Sequence, residues 1–253
     1  MRWRPVITRL LQLAVALAMA APRVLTFAAP RVLMLTAPLV LTFAAPLVLM
    51  LAPSPGTADP AEVARIAESA EAALPLTVGA AVPAVELRDV DDRPVQLREL
   101  IAGKSSVLVF YRGGWCPYCN LQLVSLVKAE AKLLDLGYEI VAISIDSPAK
   151  LRASQKKHGL NYRLLSDSRA AGAIAFGIAF QLDDAEVERL RTFGMDVEEA
   201  SGEDHHILPV PSVFLAGEDG IIRFVYSNPD YKSRLDGAEL VASAGRVREE
   251  SQP

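Results

Sequence analysis

The stretch SVLVFYRGGWCPYC, Ser106 to Cys119, contains both cysteines of the 253-residue chain. Its first half is an unbroken apolar run, which is typical of a strand buried on both faces of a sheet. Pro117 suits the first turn of a helix, where the missing N–H costs nothing, and we predict a helix over residues 117–134. The sequence therefore predicts that Cys116 and Cys119 lie where a buried strand passes into a helix.

Strands and helices alternate along the rest of the chain. Asp59 and Pro60 are typical of a helix N-cap and first turn, and predict a helix that reaches Ala70. The turn Gly217 to Gly220 predicts a hairpin between residues 213–216 and 221–226. The remaining predicted strands are residues 82–87, 94–97, 139–146 and 162–166, and the remaining predicted helices are residues 147–159, 169–176, 183–193 and 236–244. This order predicts an α/β fold, a central mixed β-sheet flanked by helices, with residues 181–203 as an insertion.

The position of the two cysteines favours redox chemistry. Unpaired backbone N–H groups at a helix start stabilise a thiolate and lower the pKa of a cysteine there. We expect Cys116 to be the more exposed of the two. Cys119 lies one turn further on the same helix face, so the pair can close a disulfide with little backbone movement. These features together predict a redox-active dithiol.

Two other roles for the cysteines compete with this interpretation. A structural disulfide across two intervening residues closes a very small loop and adds little stability. A zinc site needs four ligands, and the only additional histidines are His158, His205 and His206. Copper suits soft thiolates with imidazole, so a copper-binding protein remains an alternative, although we predict no metal site.

Several motifs resemble the thioredoxin superfamily and, within it, the peroxiredoxin-like branch, the alkyl hydroperoxide reductase and thiol-specific antioxidant family. The resemblance covers residues 78–240. Its elements are VGAAVPAVEL at 78–87, LIAGK at 100–104, the strand ending in Phe110-Tyr111, Trp115-Cys116-Pro117, and the late PSVFL and DGIIR segments at 211–215 and 219–223. The resemblance implies a thioredoxin-like fold. It also implies that Pro211, ahead of a late strand, lies opposite the cysteines; the alternative is an ordinary edge-strand proline.

The same resemblance implies a thiol-dependent peroxidase. Cys116 is expected to attack a hydroperoxide and become a sulfenic acid, Cys119 to resolve it as a disulfide, and thioredoxin or another thiol to reduce that disulfide. No cofactor is expected. The residues expected to contact the substrate are Trp115, Pro117, Val210 and Pro211.

The chain departs from the peroxiredoxin pattern immediately before Cys116. That pattern has a proline and a Thr or Ser there, whereas this chain has Arg112-Gly113-Gly114-Trp115, and the late arginine of the pattern is absent before Val213. Arg112 is therefore a candidate for the positive charge beside Cys116; the alternative is an arginine that faces solvent. A thioredoxin-like protein disulfide reductase is the alternative enzyme.

Residues 1–58 have a different composition from the rest of the chain. They contain five arginines and no Asp, Glu or Lys, and an octapeptide repeats four times from Ala21. Arg2, Arg4 and Arg9 precede an apolar run that ends near a small-residue cleavage pattern, as in a secretory signal. We expect residues 1–58 to be a cleaved signal or an uncleaved membrane anchor, with a linker, and the protein to be exported, periplasmic or anchored. A misassigned start codon would leave it cytoplasmic.

Residues 59–253 are expected to form one domain. They contain 21 basic and 30 acidic side chains, so their net charge is 21 − 30 = −9. An acidic balance of this size argues against nucleic acid as a partner.

Overall fold

The computed structural model describes residues 65–250, so the expected boundary at residues 58 and 59 and the whole leader lie outside them. The strands are β1 (Glu86–Arg88), β2 (Pro94–Gln96), β3 (Ser105–Tyr111), β4 (Tyr138–Ser144), β5 (Arg163–Ser166), β6 (Ala179–Gln181), β7 (Ile207–Pro209), β8 (Ser212–Ala216) and β9 (Ile222–Ser227). The α-helices are α1 (Leu97–Leu100), α2 (Pro117–Asp135), α3 (Pro148–His158), α4 (Ala171–Ala175), α5 (Asp184–Thr192), α6 (Val197–Ser201) and α7 (Gly237–Glu250). Both predicted elements around the cysteines, β3 and α2, are confirmed.

Within residues 65–250, seven strands form the central sheet, in the order β2-β1-β5-β4-β3-β8-β9. Strand β3 runs parallel to β4 and antiparallel to β8, so the predicted mixed sheet is confirmed. Side chains alternate along β3 between the two faces of the sheet. Val107 and Val109 enter the core beneath α2 and α7, whereas Leu108 and Phe110 enter the core on the opposite face. This burial on both faces explains the unbroken apolar run.

A second, two-stranded sheet pairs β6 with β7. The segment predicted as an insertion, residues 181–203, runs between these strands and contains α5 and α6. Its Val187 and Leu190 belong to a small apolar cluster that also includes Ile145 and Leu208 from outside the segment. The hairpin β8–β9 and the closing helix α7 agree with prediction, although α7 continues six residues past Ala244.

The predicted N-terminal helix is wrong over its described part. Ala67 donates its N–H to the Ala179 carbonyl and accepts from Gln181 N–H, both at 2.9 Å, so the chain is extended there beside β6. Only a 3-10 turn, Ala70–Ala72, follows. Here the backbone N–H and C=O groups bond to β6 and not to each other within a helix. Helix propensity is a weak preference, which tertiary contacts commonly override. Among residues 65–250, none of the helices combines the length and the apolar character needed to span a bilayer.

Candidate active site

The turn between β3 and α2 places both cysteines beneath the surface. Cys116 is the N-cap residue of α2 with an extended backbone, and Pro117 occupies the first turn, as predicted. Cys116 donates its N–H to the Gly113 carbonyl at 3.1 Å. Gly113 has φ +154°, and a Cβ there would collide with the Trp115 ring and lie 2.7 Å from an Asp146 carboxylate oxygen. The turn therefore needs a glycine at this position.

The two thiols are free and almost equally buried. The exposed fraction is 1% for Cys116 and 0% for Cys119, so the expected difference in exposure amounts to one percentage point. Both belong to the core cluster beneath α2, against which Trp115 and Tyr231 pack. Tyr231 comes from the loop after β9, which sequence patterns did not connect with the cysteines.

The pKa values of the two thiols are nevertheless shifted in opposite directions. A hydrogen bond from Cys119 lowers the pKa of Cys116 to about 6; burial opposes this shift, and Arg112 and Arg234 reinforce it. Burial raises the pKa of Cys119 well above its ordinary value, and its contact with Cys116 raises it further. Cys116 is therefore the thiolate at neutral pH and Cys119 the protonated partner, which fits the order of reaction that the family resemblance implied.

Arg112 is buried beside the sulfurs rather than facing solvent. Its exposed fraction is 4%, and its guanidinium lies between two rings, 4.4 Å from the Tyr231 centroid and 5.1 Å from the Trp115 centroid. Burial lowers the pKa of Arg112, and the charges of Cys116 and Cys119 oppose this. Its Nε has no hydrogen-bond partner among the described residues. Since buried donors are normally satisfied, this atom points to an acceptor that a ligand would supply.

Arg234, which the sequence analysis missed, contacts the second cysteine. Its Nη2 donates to Cys119 Sγ at 3.4 Å, whereas its Nε and Nη1 are buried without a partner in the described part of the chain.

The loop that carries Arg234, residues 228–236, is fixed by the bond from Gln122 Nε2 to the Leu235 carbonyl and by the packing of Tyr231 on Tyr118. A late arginine is therefore present beside the cysteines. It lies after β9, whereas the family pattern has its late arginine before Val213.

Asp146 is a third site residue that the sequence analysis missed. It follows β4, is 1% exposed, and accepts the Gly114 N–H at 2.7 Å. Burial raises the pKa of Asp146 to about 6, while the Gly114 and Ser144 hydrogen bonds oppose the shift. The carboxyl fixes the turn that carries Cys116. One feature of the sequence could have indicated Asp146, namely its position at the end of β4, the strand beside β3. Residues that follow parallel strands meet at the same edge of the sheet.

The four residues predicted to contact substrate have different surroundings. Trp115 is half-buried beneath Arg112, and Pro117 is exposed on the first turn of α2. The pairs between β3 and β8 end at Phe110 and Ser212, so Pro211 directly precedes the paired part of β8, and it lines a cavity together with Arg112. Val210 is buried, donates its N–H to Ile178 and accepts from Ser212, so its backbone is engaged within the chain and not free for a substrate chain.

The histidines do not join the cysteines. His205 Nε2 contacts the Ser168 carbonyl at 2.7 Å while its Nδ1 accepts from Ile207 N–H, and His206 contacts Glu198. Within residues 65–250, no group of three or more His, Cys, Asp or Glu side chains is arranged to hold a metal ion. The contacts of these histidines are those of structural residues.

A buried strand, a helix capped by a low-pKa cysteine, and a second cysteine one turn later define a dithiol oxidoreductase site on a thioredoxin-like fold. Residues 78–225, more than half of the chain, match the AhpC/TSA family. The chain belongs to this family.

Named relatives agree with the family assignment. A peroxiredoxin bcp of Haemophilus influenzae is 35% identical over 104 residues, which are 41% of this chain and 66% of the relative. The chloroplastic peroxiredoxin Q of Sedum lineare is 28% identical over 153 residues, 60% of this chain and 70% of the relative. The chain thus spans about two thirds of the length of these relatives. The crystal structure of peroxidoxin BcpB from Mycobacterium tuberculosis superposes with a TM-score of 0.53 at 20% identity, over 70% of this chain and 98% of that one, which confirms the fold.

Proposed function

We propose that the protein is a thiol-dependent peroxidase that reduces hydroperoxides through a Cys116–Cys119 dithiol cycle. The single observation that carries the proposal is the pairing of a buried Cys116, whose pKa is about 6, with an Arg112 side chain that keeps a donor unpartnered beside it. The named peroxiredoxin relatives support the same activity.

In the first step, the Cys116 thiolate attacks the terminal oxygen of the hydroperoxide. The S–O bond forms as the O–O bond breaks, so sulfur is oxidised to a sulfenic acid and the peroxide is reduced. The leaving alkoxide, or hydroxide from hydrogen peroxide, takes up a proton and departs as alcohol or water. Arg112 replaces the missing Thr or Ser contacts, because its buried N–H groups meet the oxygen on which negative charge develops.

In the second step, Cys119 attacks the sulfenic acid of Cys116. The disulfide forms, and the sulfenic oxygen leaves as hydroxide and is protonated to water. The contact from Arg234 favours the thiolate form of Cys119 at this moment. A dithiol donor such as thioredoxin then reduces the disulfide by two thiol–disulfide exchanges and becomes oxidised itself.

Peroxide consumption by the full-length protein tests this proposal. Hydrogen peroxide would be followed with dithiothreitol or thioredoxin as donor, beside Cys116→Ser and Cys119→Ser. We expect turnover that Cys116→Ser abolishes, whereas Cys119→Ser still consumes about one equivalent of peroxide in a single turnover. Consumption no faster than free thiol alone would overturn the proposal.

A thioredoxin-like disulfide reductase is the second candidate, and one observation favours it. The Cys-Pro-Tyr-Cys sequence places its low-pKa thiol at a helix N-cap, an arrangement that also suits attack on a protein disulfide. Reduction of insulin by the full-length protein, without peroxide turnover, would support this candidate against the peroxidase.

We also propose that residues 1–58 export the protein or tether it to a membrane. The arginine-rich leader and apolar octapeptides support this. Fractionation of cells that express the full chain, with N-terminal sequencing of the product, would separate cleavage from anchoring, and recovery of intact chain in the cytosol would contradict both.

A further inference from the structure

We propose that Asp146 is the acid that protonates the leaving oxygen of the hydroperoxide when Cys116 attacks. This role rests on the proposed peroxidase activity and adds a catalytic residue to it. Hydroxide and alkoxide are strongly basic leaving groups, since the pKa of water is about 15.7. Proton transfer from a positioned side chain typically accelerates such a step about 100- to 10,000-fold.

Asp146 lies against the short turn that carries the reacting sulfur. Its Oδ2 accepts the Gly114 N–H at 2.7 Å, and a Cβ on Gly113 would lie 2.7 Å from its Oδ1. Cys116 donates its own N–H to the Gly113 carbonyl at 3.1 Å. The exposed fraction of Asp146 is 1%, so its carboxyl is next to the turn of Cys116 and shielded from bulk water.

Two buried N–H donors on this side of the turn mark a place for an oxygen. Trp115 Nε1 and Arg112 Nε both lack a hydrogen-bond partner among the described residues. A Cβ on Gly113 would collide with the Nε1 side of the Trp115 ring, so this donor borders the same space as Asp146 Oδ1. The Arg112 guanidinium lies 5.1 Å from the centroid of that ring. Since buried donors are normally satisfied, a substrate oxygen that accepts from them comes next to the Asp146 carboxyl.

The electrostatics of the site couple the proton of Asp146 to the thiolate. Burial raises the pKa of Asp146 to about 6, and the charge of Cys116 raises it further. Attack on the peroxide converts the Cys116 thiolate into an uncharged sulfenic acid, so this charge disappears as the O–O bond breaks. The Asp146 carboxyl therefore becomes a stronger acid when the leaving oxygen needs a proton.

The step balances without a further reactant. The Cys116 sulfur bonds to the terminal oxygen, which keeps its hydrogen, and the electron pair of the O–O bond leaves with the other oxygen. Asp146 gives its proton to that oxygen, so the products are a sulfenic acid, an alcohol or water, and the Asp146 carboxylate. When a dithiol later reduces the disulfide, its two protons return to Cys119 and Asp146.

The basicity of the leaving group distinguishes an acid from a residue that only shapes the turn. Peracetic acid releases acetate, a carboxylate whose conjugate acid has a pKa of about 4, as the Glu side chain has, so it needs no proton. In single turnovers of the reduced full-length protein, Asp146→Asn is expected to slow the reaction with hydrogen peroxide about 100-fold. The reaction with peracetic acid should stay within about twofold of the wild type. Equal losses with both oxidants would overturn the inference.

Ser154→Ala is the matched control. Ser154, on α3, packs on the same turn, because a Cβ on Gly114 would meet its Oγ, but it has no acidic proton. Its replacement should affect the two oxidants equally, and a selective loss with hydrogen peroxide would overturn the inference. Absence of hydrogen peroxide turnover in the wild type would instead remove the proposed function, so the two failures are distinguishable.

The pH dependence of the wild-type protein tests the same role without a variant. Two other groups act on Asp146, Lys150 on α3 and Tyr111 on β3, and burial raises the pKa of Tyr111 well above its usual range. The reaction needs Cys116 ionised and Asp146 protonated, and the pKa of each is about 6. The value of kcat/KM for hydrogen peroxide should therefore be largest near pH 6 and fall about tenfold for each pH unit well above it. A value that stays level above pH 6 would overturn the inference.

Discussion

The turn before Cys116 and the loop before α7 each bring one arginine to the same two sulfurs, but they hold it differently. Arg112 is stacked between two aromatic rings, and its Nε has no partner among the described residues. Arg234 donates directly to Cys119 Sγ. Stacking fixes a guanidinium without using its N–H groups, so Arg112 can still bind an oxygen of the substrate. Arg234 commits its Nη2 to Cys119, although its Nε and Nη1 have no partner in the described part of the chain.

This difference assigns the two arginines to the two chemical steps. Cys116 is acidic because Cys119 donates to it and because both arginines lie nearby, whereas Cys119 is held protonated by its burial. Loss of Arg112 should therefore impair the attack on peroxide, and loss of Arg234 should impair the resolution that follows.

The largest expected effect is the low pKa of the Cys116 thiol. The pKa of this thiol is lowered from 9.0 to about 6, so its thiolate fraction falls only when the pH drops through about 6. The rate of alkylation by iodoacetamide, measured against pH in the Cys119→Ala variant and the wild type, checks this. The wild type should show a midpoint near 6, and the variant, which lacks the donating thiol, a higher midpoint.

A second group near Cys116 titrates in the same pH range and contributes to the measured pH dependence. Asp146 also has a raised pKa of about 6. Asp146→Asn keeps an acceptor for Gly114 N–H and removes the carboxyl titration, so it is the control variant. A wild-type midpoint above 8 would contradict the assignment of Cys116 as the nucleophile.

The second prediction concerns Arg112. Arg112→Met keeps an unbranched apolar side chain but removes the guanidinium donors, and should lower kcat/KM for hydrogen peroxide about 100-fold, the cost of removing a donor to a developing oxyanion. Stopped-flow peroxide consumption measures this. Arg93→Met, at an exposed arginine that pairs with Asp89, is the matched control. Activity retained in Arg112→Met would show that backbone groups alone meet the peroxide.

The third prediction concerns the turn itself. In Gly113→Ala the new Cβ meets Trp115 and Asp146 and the backbone has a positive φ, so we expect a loss of about 2 kcal/mol in the free energy of unfolding. Gly103→Ala is the matched control, because φ is also positive there (+70°) but nothing lies within 4 Å of the added Cβ. Chemical denaturation of both variants isolates the packing cost, and equal losses would mean that the turn has room to adjust.

Sequence patterns predicted the parts of this site that depend on neighbouring residues. The apolar run and Pro117 gave β3, α2 and the position of Cys116 at the helix start, because each follows from local periodicity and backbone chemistry. Arg234 and Tyr231 were missed because they lie more than 110 residues away in a loop, where no periodicity indicates which side chain turns inward. The near-complete burial of Cys116 was not predicted for the same reason, since Tyr231 from that loop packs against its cluster.

The smallest expected effect is that of replacing Arg234, and it concerns the rate at which the Cys116 sulfenic acid is converted to the disulfide. Without the contact to Sγ, Cys119 reaches its thiolate less readily, so Arg234→Met should slow disulfide formation about tenfold, the factor for one lost hydrogen bond to a charged group. The longer-lived sulfenic acid is then oxidised by a second peroxide to sulfinic acid. Mass spectrometry of Cys116 after a series of peroxide doses measures the sulfinic fraction per turnover. Arg234→Lys, which keeps the charge, should recover part of the loss, and the first-step rate should stay close to that of the wild type. An unchanged sulfinic fraction in Arg234→Met would mean that helix position alone activates Cys119, and the two arginines would then both serve the first step.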